Sequence, residues 1–525
     1  MSRAIRTTAR PPAPARRARS RQRLAAVAAF AATASTLAGC TRASAHGAPS
    51  IRMHAEVAAL RHSVDSMVAA PQFRSAQLGI LVVDPVSGDT LVSHNAGKLF
   101  MPASNQKILT GAAALQLLGP DFRFSTTMAA SGPVADGEVR GDLVVSGTGD
   151  PSVSDHMAGD AMRPLRAMAD SLAARGITRI AGAIVPGADA FPDVTLGYGW
   201  SYDDLDFAYA AGVDELYFNE GFARIVVRGG ATAGEAPTAR TLPATTVPRV
   251  RMWAQTTAPV AAATASARRS RTLTVRQDST DNATVIIDGS IAAGDSAVLT
   301  ITQRDPSRAY LLALAEAVRE RGIAVTAGVS MWRGTSTYPL FSLLSPPLTD
   351  VLKAFEKPSQ NQIGEILLRT LGRARAGVGT ADSGARVVRD QLLAWGAASD
   401  GFVYRDGSGL SRQDVVTPET IVRVLDAMRQ SRDFSTFYDA LPIGGVDGTI
   451  ANRMKGTPAQ GNVHAKTGTL DMVRSLSGYV TTADGRLLLF SVLANHFVVP
   501  TREIERVQDT LVSRLASLRL TAGAR

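Results

Sequence analysis

Apolar residues recur along this chain with two periods, and the periods predict a mixture of helices and strands. A helix is predicted over 55–70 from apolar positions three or four apart: Val57, Leu60, Val64 and Met67. The apolar run at 78–84 is typical of a buried strand, and a turn at 85–88 leads to a second strand at 89–93. The first elements are therefore predicted to be a helix followed by a β-hairpin.

The rest of the chain alternates between the same two patterns. Helices are predicted at 162–175, after Asp305-Pro306-Ser307, on both sides of Pro358, and at 386–397, 417–430 and 502–515. Strands are predicted at 141–145, 464–468, 475–481 and 487–494. Residues 228–300 differ, since they are rich in Thr, Val and Pro with short alternating segments, and they predict a small all-β module. The fold class is therefore α/β in the broad sense, or α+β.

Charge is distributed unevenly, and its location decides what it means. The formal net charge is +10, but residues 1–39 hold eight Arg and no acid, which leaves 48 basic against 46 acidic residues in the remainder. A balance this even is not the electrostatic footprint of a nucleic-acid-binding protein. No nucleic-acid partner is expected, and the basic excess is assigned to a targeting segment.

The targeting segment has the pattern of a bacterial export signal. Its Arg-rich start is followed by 14 mainly apolar residues from Leu24 to Leu37, too short for a permanent membrane span, and then by Leu37-Ala38-Gly39-Cys40. This ending resembles a lipoprotein processing site, at which Cys40 would be lipidated. The alternative is ordinary cleavage after Ala43-Ser44-Ala45, which would discard Cys40 and release a soluble protein. Both alternatives export the protein. Residues 1–39 are predicted to be the signal peptide and 40–54 a tether, and no intramolecular disulfide can form with a single cysteine.

The first candidate for chemistry is a hydroxyl and an amine three residues apart, Ser104 and Lys107, at the start of an expected helix. Residues i and i+3 share a helix face, so Lys107 is placed to draw off the proton of Ser104 and activate it as a nucleophile. Alone the pair is weak, because Pro102 and the apolar residues after Lys107 also describe an ordinary helix start.

Two further clusters lie far along the chain, and each also has an ordinary structural interpretation. Ser359 and Asn361 flank Gln360 before a helix, where a tight turn would aim hydroxyl and amide at one point, or where they would merely cap the helix. Lys466-Thr467-Gly468-Thr469 precedes strands, and this cation with two hydroxyls beside an uncovered backbone suits a carboxylate, unless it is a solvated strand end.

Together the three clusters carry much more weight than each does alone. Ser-x-x-Lys, Ser-x-Asn and Lys-Thr-Gly, in this order and in helix, loop and strand contexts, are the motif set of penicillin-binding proteins and class A β-lactamases. With Pro102-Ala103-Ser104, Gly141-Asp142-Leu143, the run 406–412 and the run 441–449, the chain resembles the class C low-molecular-mass penicillin-binding proteins over about residues 55–515. These are D-alanyl-D-alanine carboxypeptidases that often also act as endopeptidases.

The resemblance implies a penicillin-binding-protein or serine β-lactamase-like transpeptidase domain that an insertion interrupts. Lys107 and Ser359 are about 250 residues apart, far more than a loop spans. The expected division is 55–140 and 338–525 for the penicillin-binding domain, 141–227 and 301–337 for an inserted α/β domain, and 228–300 for a nested β-rich domain.

The resemblance also implies roles for the matched residues. Ser104 would attack the carbonyl between two D-alanines with Lys107 as base, and Ser359 would relay the proton to the leaving amine. Asn361 would hold the substrate backbone, and the terminal carboxylate would bind at Lys466, Thr467, Gly468 and Thr469. Backbone N–H groups of Ser104 and Thr469 would hold the oxyanion. Arg412, together with an acid in the loop after 183–185, would recognise the far end of the stem peptide. In this chain Pro186-Gly187 follows 183–185, and Asp189 comes slightly later.

The expected protein is an exported, lipid-anchored peptidase of the periplasm or cell envelope, with peptidoglycan stem peptides as substrates and β-lactams as inhibitors. The alternatives are a serine β-lactamase, which the large insertion disfavours, and a catalytically inactive cell-wall-binding lipoprotein, which the intact motifs disfavour. Neither a cofactor nor a metal is expected, because the seven His are scattered and Asp155-His156 lacks ligand spacing.

Overall fold

The computed structural model describes residues 51–520 except 243, 245–247, 260–271 and 282. The predicted signal peptide and Cys40 lie outside the described residues, so their assignment stays a prediction. Within the described part of the chain, every helix is too short or too polar to cross a membrane.

A five-stranded antiparallel sheet forms the centre of the part of the chain that is predicted to be the penicillin-binding domain. Its strands, in spatial order, are Thr90–His94, Gln77–Val83, Leu487–Asn495, Val473–Thr481 and His464–Leu470. The predicted hairpin is present, with Val82 opposite Val92. The chain therefore pairs strands from both its ends, which brings the Lys-Thr-Gly segment to one edge of the sheet.

Helices cover both faces of this sheet. Ile51–Val68 and Thr501–Ser517 pack on one face, where Leu60 and Leu511 share a core with Ile80. The other helices of this part are Gln106–Leu118, Leu348–Glu356, Asn361–Ala376, Ala381–Ala394, Pro418–Gln430 and Phe434–Ala440. The helix Gln106–Leu118 is buried over its first ten residues, because Ile108, Leu109 and their neighbours pack on all sides. A two-stranded ribbon joins Phe402–Val403 to Val415–Val416.

A second sheet connects this predicted domain with the predicted insertion. Its strands, in spatial order, are Tyr338–Leu344, Ser125–Ala130, Leu143–Ser146 and Ile184–Pro186. The chain enters the predicted insertion after Ser125–Ala130 and comes back from it at Tyr338–Leu344. The sheet crosses the predicted boundaries at 140/141 and 337/338. Short strands Val134–Ala135, Glu138–Val139, Arg179–Ile180 and Ala324–Val325 form a neighbouring sheet, and the helices of this region are Asp155–Ala158, Met162–Ala173 and Pro306–Glu320.

Among its described residues, the predicted nested β-rich region contains strands, turns and irregular segments but no helix. Its strands are Phe222–Arg228, Thr238–Leu242, Arg249–Met252, Gln255–Thr257, Thr274–Gln277, Thr284–Asp288, Ser290–Ala292 and Ser296–Thr302. A small core of its own, built around Ile225, Val285 and Ile301, holds these strands together. Alternating β-branched residues fill that core from one face of each strand, as the sequence pattern requires.

Candidate active site

The predicted nucleophile sits on a strained turn. Ala103–Asn105 forms one 3₁₀ turn before the α-helix, and the buried Ala103 has φ of +48°. A non-glycine residue in the left-handed region costs about 1–3 kcal/mol and is common at functional sites. The turn is held from two sides, since Ser475 donates a hydrogen bond to the Pro102 carbonyl at 2.6 Å and a side chain at Gly409 would meet the Ala103 carbonyl at 1.9 Å. These contacts keep the half-buried Ser104 hydroxyl in a fixed position.

Lys107 is fully buried and makes three short contacts through its amine. Its Nζ lies 2.9 Å from Ser104 Oγ, 2.6 Å from Asn361 Oδ1 and 2.6 Å from the Ser408 carbonyl. Burial, followed by the charge of Lys466, lowers the pKa of Lys107 to about 7, although the charges of Asp406, Glu356 and Glu365 oppose this shift. Lys107 is therefore neutral in a substantial fraction of molecules near pH 7.

The second motif follows the helix Leu348–Glu356 in a tight turn. Ser359 has φ of +66°, a second left-handed non-glycine residue, and Asn361 opens the next helix. Gln360 accepts from the Ile363 N–H at 3.0 Å and so caps this helix. The cap therefore does not use Asn361, whose amide instead donates to the Tyr209 carbonyl at 2.8 Å and accepts from Lys107. The donor bond fixes which way the Asn361 amide faces.

The third motif lies on the edge strand His464–Leu470. Lys466 is fully buried, and its carbonyl accepts from Asn105 Nδ2 at 2.7 Å, directly beside the nucleophile. A Cβ at Gly468 would lie 2.4 Å from the Pro102 carbonyl, so only glycine lets this strand approach the serine turn. The Thr467 hydroxyl is 2.7 Å from the hydroxyl of Thr449, a residue of the 441–449 run.

The three motifs meet at one cavity of about 510 Å³. Its lining includes five predicted site residues: Ser104, Ser359, Asn361, Arg412 and Thr469. Lys107 and Lys466 are buried behind these residues, and Thr467 and Gly468 are on the same strand as Thr469. A larger cavity of about 670 Å³ lies between the first helix and the hairpin and contains none of the predicted residues. The structure thus brings together residues that are up to 365 positions apart, and Cys40 alone of the predicted residues lies outside the described part.

Sequence reasoning missed two buried carboxylates that hold the loop 406–412. Glu365 accepts from the N–H groups of Gly407 and Ser408 at 3.0 and 3.1 Å. Asp406 accepts from the N–H groups of Gly409 and Ser411 at 2.6 and 2.7 Å. Together they fix the Ser408 carbonyl that contacts Lys107. An Asp before a Gly-rich turn is a known signal for this arrangement, which points to Asp406 but not to Glu365.

The two acids that line the cavity, Asp204 and Asp471, are also different from the acid that lies nearest to the expected loop in sequence. Asp189 forms an ion pair with Arg333 at 3.1 Å, whereas Asp204 lines the cavity and accepts from the Tyr209 hydroxyl at 2.6 Å. Arg412 reaches across the same rim to the Asp471 carbonyl at 3.4 Å. No period or motif marks Asp204, because the irregular segment around it takes its position from the insertion.

One group of acids among the described residues has the geometry to hold a metal ion. Asp189, Asp214 and Glu215 bring oxygens within 4.8 Å of one another. Arg333 lies among them, however, at 2.7 Å from Glu215 and 3.1 Å from Asp189. Its guanidinium already supplies positive charge to this cluster, which fits an ion-pair link within the insertion better than a metal centre.

Fold and site together define a serine acyl-transferase of the penicillin-binding-protein type. The D-Ala-D-Ala carboxypeptidase 3 (S13) family profile matches residues 60–518. The chain is 33% identical to the D-alanyl-D-alanine carboxypeptidase of Actinomadura sp. (strain R39), over 88% of this chain and 85% of that one. It is 26% identical to the D-alanyl-D-alanine carboxypeptidase DacB of Haemophilus influenzae, over 83% and 89%. The chain therefore belongs to the S13 family of D-Ala-D-Ala carboxypeptidases.

A solved structure agrees with this assignment. The crystal structure of penicillin binding protein 4 (dacB) from Haemophilus influenzae matches with a TM-score of 0.75 and 25% identity, over 87% of this chain and 99% of that one. The predicted family, fold class and enzyme class are confirmed, and so, at the level of the family, is the function of a serine-type D-Ala-D-Ala carboxypeptidase and/or endopeptidase. The roles of individual site residues stay predictions.

Proposed function

We propose that this enzyme cleaves D-Ala-D-Ala bonds of peptidoglycan stem peptides, and the related cross-links, through an acyl-enzyme on Ser104. The observation that carries the proposal is the 2.9 Å contact between Ser104 Oγ and Lys107 Nζ. A hydroxyl and an amine at this distance are in reach for direct proton transfer. The same acyl-enzyme chemistry makes the protein a target of β-lactams.

The hydrogen bonds around Lys107 define the direction of that proton transfer. A neutral amine has two N–H groups and one lone pair, while the Asn361 and Ser408 carbonyl oxygens can only accept. When Lys107 is neutral, its two N–H groups are used by these oxygens, and the lone pair is left for the Ser104 hydroxyl. Lys107 is thus arranged as the base that activates Ser104.

The other matched residues then bind the substrate and complete the reaction. Ser359, at the cavity wall, relays the proton to the departing D-alanine amine, and Asn361 holds the peptide backbone. The backbone N–H groups of Ser104 and Thr469 hold the oxyanion, each contributing about 3 kcal/mol. Water hydrolyses the ester in the second step.

The terminal carboxylate is placed at the Lys-Thr-Gly strand. The Thr467 and Thr469 hydroxyls donate to it, and Gly468 leaves the backbone uncovered for its approach. The positive charge of Lys466 attracts the carboxylate from behind this strand. A free carboxylate, rather than an amide, is thereby favoured at this end of the substrate.

The substrate end that lies away from the terminal carboxylate carries the stem-peptide side chain. We assign recognition of this side chain to the rim of the cavity. Arg412 carries a positive charge and Asp204 a negative one, and both line the same cavity. A side chain that ends in both an amine and a carboxylate matches this pair, because each charge then meets its opposite. We therefore assign to Asp204 the role that was expected for an acid in the loop after 183–185.

We also propose that the enzyme is exported and anchored in the cell envelope by lipid on Cys40. The export pattern of residues 1–39 and the peptidoglycan substrate support this location. Expression of the full chain and of Cys40→Ala, followed by separation of membranes from soluble material, tests the anchor. The native chain should be recovered with membranes and Cys40→Ala in the soluble fraction; equal partition of both would contradict the anchor.

The catalytic proposal is tested by mass spectrometry of the purified protein after incubation with penicillin. We expect one penicilloyl adduct, on the peptide that contains Ser104, and no adduct on Ser104→Ala. The same variant should lose at least about 10⁴-fold in kcat on a D-Ala-D-Ala peptide. An adduct on another residue, or an active Ser104→Ala enzyme, would refute the assignment. Rapid release of hydrolysed penicillin would favour the β-lactamase alternative.

A further inference from the structure

A buried carboxylate acts electrostatically on the two buried lysines of the site, and the mechanism above does not use it. Glu356 is the last residue of the helix Leu348–Glu356, three positions before Ser359, and it is 0% exposed. Neither of its carboxylate oxygens has a hydrogen-bond partner in the described structure. A buried, unpartnered carboxylate is costly, so its position calls for a compensating charge.

The serine helix makes room for this carboxylate. A Cβ at Gly111 would lie 2.6 Å from Glu356 Oε1, so the carboxylate occupies the space that a side chain would fill. Gly111 is one helical turn after Lys107 and lies on the same face of the helix. The absence of a side chain at Gly111 therefore leaves the space in which the buried Glu356 carboxylate lies.

Two cations act on Glu356 from different elements. They are Lys466 on the edge strand and Lys107 on the serine helix, with Lys466 the stronger influence after burial itself. The two lysines depend on Glu356 to different degrees. The charges of Asp406 and Glu365 also raise the pKa of Lys107, whereas among the described residues the charge that raises the pKa of Lys466, against the lowering effect of burial, is that of Glu356.

We propose that Glu356 is a positioning residue for the proposed reaction, whose buried negative charge keeps Lys466 cationic and so maintains recognition of the substrate's terminal carboxylate. The inference rests on the proposed role of Lys466 in binding that carboxylate. This role accounts for the presence of a carboxylate without hydrogen bonds in the interior of the enzyme.

The expected pH dependence follows from the signs of the charges. Removing the Glu356 charge lowers the pKa of Lys466 further, so Lys466 loses its proton at a lower pH than in the native enzyme. As pH falls through the raised pKa of Glu356, its carboxyl becomes neutral in the native enzyme too. Native and Glu356→Gln enzymes should therefore converge in acid and diverge as the pH rises.

The test compares two peptides that differ only in the last group, a free D-Ala-D-Ala carboxylate and its carboxamide. The readout is the ratio of kcat/KM for acid and amide, followed from pH 6 to pH 9. We expect Glu356→Gln to reduce this ratio roughly tenfold or more on the alkaline side, mainly through KM, with little change at the acid end. Loss of packing alone does not produce a pH-dependent ratio.

A double-mutant cycle assigns the effect to Lys466. Lys466→Gln should remove most of the discrimination, and Glu356→Gln should then change the ratio no further. A Glu356→Gln enzyme with the native ratio at every pH, beside a Lys466→Gln enzyme that has lost it, would overturn only this inference. If Lys466→Gln keeps the native ratio, the proposed carboxylate site and this inference both fail.

Two further variants control for folding. Glu215→Gln removes an equally buried carboxylate, 1% exposed and paired with Arg333 in the insertion, and should leave the ratio at its native value. Gly111→Ala keeps the Glu356 charge but forces the carboxylate aside, and should give a weaker form of the Glu356→Gln effect. Circular dichroism and thermal unfolding of each variant establish that it is folded. A native ratio in both Gly111→Ala and Glu356→Gln would count against the inference.

Discussion

The inner end of the cavity and its rim are built in different ways. At the inner end, Lys107 is 0% exposed and its amine contacts three groups at 2.6–2.9 Å, contributed by three separate chain segments. At the rim, Arg412 is exposed and has a single 3.4 Å contact, and Met472 is 44% exposed. Burial at the inner end leaves the Lys107 amine few possible hydrogen-bond partners, so its position is well defined. At the rim, solvent-exposed side chains are free to adapt to the substrate.

Burial explains the stronger constraint at the inner end. An amine in a low-dielectric interior must find acceptors, and its proton affinity depends on each charge around it. An exposed charge is screened and exchanges partners with water, so its replacement costs little in stability. We therefore expect substitutions at the inner end to change kcat and those at the rim to change KM.

The largest effect is expected for Lys107→Met, which removes the base and keeps an unbranched side chain of similar length. We expect kcat to fall about 10²–10⁴-fold, the range usual for a general base. In the native enzyme, activity should decline as the pH falls through about 7, because protonation of Lys107 occupies its lone pair. Measurement of kcat/KM between pH 5 and 9 checks both points.

Lys107→Arg is the matched control for charge, since arginine stays protonated and cannot act as a base. It should be as inactive as Lys107→Met and show no recovery at high pH. An active Lys107→Arg enzyme would place the base elsewhere and remove the contrast between the two ends of the cavity.

An intermediate effect is expected for Asp406→Asn, which leaves the volume unchanged but replaces an acceptor by an NH₂ group. Besides backbone donors, Asp406 accepts from Trp200 Nε1 at 2.8 Å, so the change breaks bonds to both the loop and the insertion. We expect a loss of stability of about 1–3 kcal/mol and a tenfold to hundredfold fall in kcat, because the Ser408 carbonyl moves away from Lys107. Thermal unfolding and steady-state kinetics measure the two effects.

Trp200→Phe separates the loss of the bond to the insertion from the loss of the bonds within the loop. It removes only the hydrogen bond from Trp200 Nε1 to Asp406. A smaller fall in kcat than for Asp406→Asn is expected. If both variants have native kcat, the loop 406–412 does not position Lys107, and the inner end is less constrained than its contacts indicate.

The smallest effect is expected at the rim, for Arg412→Gln. We expect a rise in KM of roughly threefold to tenfold on a stem peptide whose side chain ends in both an amine and a carboxylate, with kcat and thermal stability nearly unchanged. A peptide without that charged side chain should be hydrolysed equally well by native and variant enzymes. A large fall in kcat on both peptides would mean that the rim takes part in chemistry.

Much of the fold could be predicted from the sequence, because local periodicity carries the information. The helix Pro418–Gln430 and the strand Leu487–Asn495 lie within one residue of the predicted 417–430 and 487–494. The helix predicted at 386–397 instead spans Ala381–Ala394, because the capping box of Thr380 and Ser383 sets its start. Helix ends depend on such local caps, which apolar periodicity does not contain.

Motifs in the sequence identify the candidate reactive groups of this protein and predict the kind of element that carries each. Ser104, Lys107, Ser359, Asn361 and Lys466 are identifiable there, because short motifs record which side chains a reaction needs. The burial of these groups, their neighbours and the lowered pKa values of Lys107 and Lys466 follow instead from the three-dimensional packing. Glu356, Glu365, Asp406 and Asp204 reach the site through packing between distant segments, and burial and electrostatics, unlike periodicity, depend on every neighbour in space.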